Sequence, residues 1–99
     1  MKTPEKHMES LMELVVGFLR DDPVKVVLFG SRARGDHRLA SDADIGLIPR
    51  GPIRPGRIAL LRDMIEQSNI PLRVEIVDLS ASPQSLRDSA LKDAIPWKD

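Results

Sequence analysis

Two aspartates separated by one residue, Asp42 and Asp44, stand immediately before an apolar run. If they begin a β-strand, the two-residue period puts both carboxylates on one face, about 7 Å apart along the backbone. Side chains so placed can converge on two divalent metal ions about 3.5–4 Å apart, whereas without a cation their repulsion raises the pKa of one carboxyl. The alternative for Asp42 alone is that it caps or turns the chain before the strand. The pair together, behind a Gly-Ser turn, favours metal binding.

The second chemical feature is Gly30-Ser31, which follows a short apolar run ending at Phe29. Small residues at the end of a strand allow a tight turn in which backbone amides approach an anion, and a helix that starts there attracts phosphate. The sequence contains no GxGxxG, and it has the glycine spacing of a P-loop but Asp36-His37 where Lys-Ser/Thr is required. The segment after Asp42 also lacks the ligand types of a calcium loop. These residues therefore predict a phosphate site of another kind.

The elements that must position these residues follow from the apolar periodicity and its end signals. Three helices are predicted: Thr3 to Asp21, Arg57 to Asn69, and Ser82 to Ala94 before Pro96. Three strands are predicted: Val24 to Phe29, Ile45 to Ile48, and Leu72 to Leu79. The last helix is expected to turn Leu86, Ala90, Leu91 and Ala94 inward. This order predicts an α/β (α+β) fold, with a small mixed three-stranded sheet covered by helices mainly on one face.

Length and composition restrict the classes of protein. The 99 residues favour a single domain over residues 1–99. With 15 basic and 15 acidic side chains, no overall field favours nucleic acid or an anionic membrane, so neither is an expected partner. The absence of cysteine excludes disulfides and thiolate chemistry. No apolar run is long enough for a membrane span, and the first residues lack the core of a signal peptide, so we expect a cytoplasmic protein.

Taken together, the motifs resemble the nucleotidyltransferases of the DNA polymerase beta superfamily, in particular the minimal nucleotidyltransferase (MNT) domains. The signature of that superfamily is an apolar residue, Gly-Ser or Gly-Gly, roughly ten further residues, and Asp-x-Asp between apolar positions. Phe29-Gly30-Ser31 and Asp42-Ala43-Asp44-Ile45 match it. The predicted order of helices and strands is similar over nearly the whole chain. The resemblance thus implies a nucleotidyltransferase fold.

The resemblance also implies roles for individual residues. Gly30 and Ser31 would hold the β- and γ-phosphates of a nucleoside triphosphate. Asp42 and Asp44 would ligate Mg²⁺. A third carboxylate, on a later strand, would help to bind the catalytic metal and lower the pKa of the attacking hydroxyl.

In the segment RVEIVDL, Glu75 matches the third carboxylate, where the family more often has aspartate. Asp78 is the second candidate for this role, but its odd offset from Glu75 points it to the opposite face of the strand. Arg32 and Arg34 lie inside the turn and are predicted to contact phosphate. Further arginines are expected to be solvated in loops: Arg38, Arg50, Arg54 and Arg57. Trp97 is expected either to cover the core or to anchor a partner.

The function implied by the resemblance is transfer of a nucleoside monophosphate, AMP from ATP, to a hydroxyl of a protein partner. The partner implied is a small helical HEPN-type toxin, for which the domain would be the antitoxin. One alternative is a catalytically silent module that neutralises its partner by contact. Another is a transferase acting on small molecules such as aminoglycosides, for which a homo-oligomer would have to build the acceptor pocket between subunits.

Overall fold

The structure, a computed structural model, describes residues 3–34 and 42–99, and the side chains of residues 6–33 and 42–99. Its elements along the chain are α1 (Thr3–Phe18), β1 (Val24–Phe29), α2 (Ser31–Arg34), β2 (Ala43–Pro49), α3 (Arg57–Gln67), β3 (Val74–Asp78), a 3-10 helix (Leu79–Ala81), α4 (Gln84–Lys92) and β4 (Ile95–Lys98). Within the described residues, no helix combines the length and the apolar character that crossing a membrane requires.

The strands form one mixed sheet in the order β3-β2-β1-β4. β2 runs antiparallel to β1 and parallel to β3. A parallel pair needs a long crossover connection, and the segment that contains α3 provides it between β2 and β3. β1 also pairs with β4, again antiparallel. The mixed α/β fold predicted from the sequence is therefore confirmed, but the prediction of three strands was wrong because β4 adds a fourth.

Helices cover both faces of the sheet unequally. On one face, α1 and α3 pack on a large cluster of buried residues that includes Leu11, Val26, Ile45 and Leu61. The other face carries a small cluster of three buried residues, Val27, Leu79 and Ala90. The sheet is thus buried mainly on one face, as predicted, and the described residues cover the other face only thinly.

The carboxyl-terminal segment differs most from the sequence-based prediction. α4 ends at Lys92, and Pro96 lies in β4 instead of ending a helix. Proline has no backbone N–H to donate to a neighbouring strand. It is tolerated in β4 because β4 is an edge strand, with no described strand on its outer side. Ala90 is buried and Ala94 partly buried, but Leu86 and Leu91 are exposed, so their predicted inward placement was wrong.

Candidate active site

Gly30 forms the turn that ends β1, and its conformation requires glycine. Its φ is 81°, in the left-handed region that side chains rarely adopt. A Cβ on Gly30 would collide with Oδ2 of Asp44 and would lie 3.3 Å from its Cγ. Phe29 and Asp44 are register partners in β1 and β2, which explains why the turn and this carboxylate are so close. The two halves of the sequence motif therefore meet in space.

The three predicted carboxylates lie on the thinly covered face of the sheet. Asp44 is the register partner of Glu75 in the parallel β2-β3 pair, so the two side chains lie side by side. Asp42 precedes Asp44 by two residues and follows the same alternation. Gly46, next in that alternation, faces Leu79 and Val27 of the small cluster. The sheet thus brings Asp42, Asp44 and Glu75 to one region.

The electrostatics of this region are unfavourable for Asp44. Partial burial raises the pKa of the Asp44 carboxyl above its usual 3.8, and the negative charges of Glu75 and Asp42 raise it further. Both effects disfavour the ionised form, and a bound cation would reverse them. Carboxylate groups placed against each other in this way are what a divalent metal site needs.

The three carboxylates share one face of the sheet and are of a type that suits magnesium, which prefers carboxylate and phosphate oxygens. In the described part of the chain, however, no group of three or more His, Asp or Glu side chains is arranged so that it could hold a metal ion by itself. The protein therefore offers carboxylates from Asp42, Asp44 and Glu75 that would share the coordination with ligand oxygens. Sharing of this kind is usual for magnesium, which is commonly held by one or two carboxylates together with substrate phosphates.

A cation beside these carboxylates was missed by the sequence analysis. Nε of Arg73 lies 4.0 Å from Oδ1 of Asp42, with the two side chains 83% and 42% exposed. Arg73 is also held by its backbone, since its carbonyl oxygen accepts a hydrogen bond from Ala43 N–H at 2.8 Å. An exposed pair of this length contributes little stability. The only signal in the sequence is the position of Arg73, two residues before Glu75 on the same face.

The residues of the Gly-Ser turn are placed differently from one another. Ser31 begins α2 and is half-buried. Arg32 is buried, with 6% of its surface exposed, so its side chain is held within the protein and not extended into solvent. The side chain of Arg34 lies outside the described residues, as do His37 and Arg38. Phosphate contacts by Arg32 and Arg34 remain predictions.

Asp78 lies away from the other carboxylates and has a local structural role. Its Oδ1 accepts hydrogen bonds from Ser80 N–H at 2.9 Å and from Ser80 Oγ at 2.6 Å. These bonds cap the 3-10 helix that follows β3. Asp78 also lines a cavity with Ile58 and Ala59 of α3, on the well-covered face. The structure thus favours Glu75 over Asp78 as the third acidic residue.

Two residues away from the carboxylates, Arg57 and Trp97, have structural roles. Arg57 donates to the carbonyl oxygen of Phe18 at 2.7 Å and to Oδ2 of Asp22 at 2.8 Å, and its guanidinium carbon lies 4.0 Å from the centroid of the Phe18 ring. Arg57 is therefore part of the packed structure, and the prediction that it is solvated in a loop was wrong. Trp97 in β4 is half-buried and packs against the large core cluster, which favours its core-covering role.

The family model for "Polymerase beta, Nucleotidyltransferase" matches residues 16–96, which includes all the proposed site residues. The chain belongs to this nucleotidyltransferase family. The resemblance stated from the Gly-Ser and Asp-x-Asp motifs is thereby confirmed. No curated protein matches the chain significantly.

Solved structures similar to this chain include a candidate minimal nucleotidyltransferase and two toxin-antitoxin complexes. A candidate minimal nucleotidyltransferase has a TM-score of 0.75 and 28% identity, with 97% of this chain and 96% of that chain covered. A toxin-antitoxin with AMP-PNP has a TM-score of 0.68 and 21% identity, covering 87% and 71%. A tri-AMPylated HEPN toxin from Shewanella oneidensis in complex with MNT antitoxin has a TM-score of 0.63 and 18% identity, covering 90% and 70%. At the identities of the last two, the likeness concerns the fold.

Proposed function

We propose that this protein transfers AMP from ATP to a hydroxyl of a protein partner and acts as the antitoxin of a HEPN/MNT pair. The observation that carries the proposal is the contact between the Gly30 turn and the Asp44 carboxylate, with Glu75 level with Asp44 on the neighbouring strand. A phosphate-binding turn and a metal-binding carboxylate are useful together when one ligand carries both phosphate and metal. A nucleoside triphosphate with magnesium is such a ligand.

Binding is assigned to two groups of residues. The backbone amides after Gly30 and the hydroxyl of Ser31 would hold the β- and γ-phosphates. Asp42 and Asp44 would hold magnesium, Glu75 would help to bind the catalytic metal ion, and Arg32 and Arg34 would be further phosphate contacts. Magnesium, when bound, would neutralise the phosphate charge and stabilise the negative charge that develops during transfer. It would also remove the repulsion that raises the pKa of Asp44.

The transfer itself is assigned to Glu75 and the incoming hydroxyl. The hydroxyl oxygen forms a bond to the α-phosphorus, while the bond from that phosphorus to the bridging oxygen breaks and pyrophosphate leaves. The hydroxyl proton passes to the Glu75 carboxylate, which is exposed beside Asp44 and so is accessible to an acceptor. Asp42 and Asp44 keep the triphosphate in line for this attack.

The choice of partner is supported by the structural neighbours. One of them is a HEPN toxin that carries AMP groups and is bound to an MNT antitoxin, and another is a toxin-antitoxin with an ATP analogue. A helical toxin could itself present the hydroxyl to the site, so the acceptor pocket would not have to be built from this chain alone. A small-molecule acceptor would need such a pocket.

The test begins with the genes on either side of the one that encodes this protein, among which the proposal expects one for a short all-helical partner. This partner is incubated with the protein, magnesium and ATP, and its intact mass is measured. The expected result is a gain of one or more AMP groups, absent with the double variant Asp42→Asn/Asp44→Asn. If the partner gains no nucleotide mass but its toxicity is still neutralised, the transferase proposal fails.

That second outcome would support a module that acts by contact alone. It is a real competitor, because no three acidic or histidine side chains of the described residues form a metal cage by themselves and because glutamate replaces the usual aspartate at position 75. The two functions are separated by the mass of the partner.

A further inference from the structure

The strand that carries Glu75 lies at an edge of the sheet. β3 is the terminal strand in the order β3-β2-β1-β4, and it pairs with β2 in a parallel register in which Ala43 is opposite Val74. Ala43 N–H donates to the carbonyl oxygen of Arg73 at 2.8 Å. In a parallel ladder this pattern directs the backbone groups of alternate residues, here Arg73 and Glu75, toward β2. The N–H and C=O groups of Val74 and Ile76 therefore point outward.

The described residues leave this outward edge unpaired. Among the described residues, no strand pairs with it, and the contact seen there is a hydrogen bond at 2.9 Å from Nη2 of Arg62 to the carbonyl oxygen of Ile76. Arg62 is exposed, and a carbonyl oxygen has two lone pairs, so this bond does not prevent pairing. A strand edge that no proline, bulge or covering helix blocks is a template for strand addition.

A groove lies along the same edge on the well-covered face. It encloses about 520 Å³ between α3 and β3. Its apolar lining includes Ile65, Ile70, Leu72, Val74 and Ile76. Because successive side chains of a strand point to opposite faces, alternate residues of an added strand would enter this groove.

We propose that the acceptor hydroxyl lies on an extended segment of the partner outside its helices, and that this segment adds to β3 as an antiparallel strand and so places the hydroxyl beside Glu75. This inference rests on the proposed transferase function. In an antiparallel pair, the residue opposite Glu75 would form a non-hydrogen-bonded pair with a Cα separation of about 4.5 Å, and its side chain would share the face of Glu75. Its two neighbours in sequence would point into the groove beside α3.

Charge specifies one further position of the acceptor. Arg73 precedes Glu75 by two residues and presents an exposed guanidinium on the same face. The residue of the added strand two positions after the hydroxyl-bearing residue lies opposite Arg73, and an acidic side chain there is complementary. The preferred acceptor is therefore an extended segment in which a hydroxyl residue has apolar neighbours on both sides and an acidic residue two positions later.

The test uses short synthetic peptides as probes of the wild-type protein. The parent peptide has a central tyrosine, valine on each side of it, and glutamate two positions after it. A first variant is N-methylated at the two valines, whose N–H groups would face β3. The matched control is N-methylated at the tyrosine, whose N–H would point away from β3. Amide hydrogen exchange of Val74 and Ile76 reports binding, and the peptide mass with magnesium and ATP reports transfer.

We expect the parent peptide and the tyrosine-methylated control to slow exchange at Val74 and Ile76 and to gain AMP. Valine methylation should weaken both effects about ten-fold or more, as expected for at least one lost hydrogen bond together with the steric block. Transfer that is equal for all three peptides, or no slowing of exchange with the parent peptide, overturns strand addition while leaving the transferase proposal intact. Slowed exchange without transfer to any peptide or to the helical partner supports strand addition and counts against the transferase.

Discussion

Asp22 and Asp44 show how the same side chain is treated at opposite ends of the sheet. Asp22, next to the start of β1, is 13% exposed and receives a hydrogen bond at 2.8 Å from Arg57. Asp44, beside the end of β1, lies against the Gly30 turn and close to two other acidic residues that raise its pKa. One carboxylate is compensated within the protein, and the other lies in a negative field.

This difference separates charges that are compensated within the protein from charges that are left for a ligand to compensate. The end of the sheet that contains Asp22 is further held by Lys98, whose Nζ donates to the carbonyl oxygens of Asp22 at 3.1 Å and Val24 at 2.8 Å. At the other end, the exposed pair between Arg73 and Asp42 is long and weak. A charge left without full compensation in the free protein is a site at which a cationic ligand gains binding energy.

Removing the charge of Asp44 should have the largest effect. We expect Asp44→Asn to abolish AMP transfer and the rise in Tm that magnesium with ATP produces by binding to the folded state. The free protein should remain folded, because the substitution also removes a repelled carboxylate. Thermal unfolding with and without magnesium and ATP is the measurement. A rise in Tm that persists in the double variant Asp42→Asn/Asp44→Asn would show that the metal assignment is wrong.

Substitution of Glu75 should separate rate from affinity. Glu75→Gln is expected to keep binding of magnesium with ATP within a few-fold and to lower transfer by about two orders of magnitude, because the hydroxyl becomes charged only toward the transition state. Asp78→Asn, the control on the same strand, should change transfer little, since Asp78 caps the 3-10 helix. Single-turnover rates test both variants. An inactive Asp78→Asn with a normal Glu75→Gln would mean that the other face of β3 meets the substrate.

Glu75→Asp is the informative companion variant. It introduces the residue more usual in the family, and transfer should persist if the strand can approach closely enough for a side chain that is shorter by one methylene. Loss of transfer in this variant, with nucleotide binding intact, would show that the length of Glu75 is matched to the backbone of β3.

Substitution of Arg57, at the compensated end of the sheet, should lower the stability of the protein. Arg57→Met removes two hydrogen bonds and a stacking contact and leaves the Asp22 carboxylate without its partner, at a cost of about 2 kcal/mol in the free energy of unfolding. Arg54→Met, at an exposed arginine nearby in sequence, should stay within about 0.5 kcal/mol of the wild type. Urea unfolding measures both. The rise in Tm on adding magnesium with ATP should survive in Arg57→Met, and its loss would contradict the division between the two ends.

The smallest expected effect is a pH dependence of stability. Because the pKa of Asp44 is raised in the folded state, the folded protein binds more protons than the unfolded chain above pH 3.8, and stability falls as the pH rises through the folded-state pKa. The Asp44→Asn variant has no titratable group at this position, so it should not lose stability in this way. Its Tm should therefore exceed that of the wild type modestly at neutral pH and converge with it below the unfolded pKa. A difference in Tm that is constant from acid to neutral pH would contradict the assigned cause.

Much of the architecture could be predicted because it depends on local patterns. The helical spacing of Leu11 and Val15, the β-branched run of β1 and the Gly-Ser turn are local features, and each led to the right element. The two-residue alternation also placed Asp42 and Asp44 on one face and Asp78 on the other side of β3 from Glu75. Helix periodicity failed for Leu86 and Leu91 because exposure depends on what packs against α4 and not on spacing within it.

The remaining features depend on pairings between residues far apart in the chain. Val27 and Pro96 meet across β1 and β4, so β4 exists only because the folded sheet offers an edge to the last residues. The salt bridge between Arg57 and Asp22 and the proximity of Arg73 to Asp42 likewise follow from the packing of separate elements. The candidate chemical groups could be proposed from residue types and spacing, because those are properties of a single segment. Which carboxylate is compensated and which is left in a negative field required the tertiary structure, because electrostatic energy depends on distance in space and on burial.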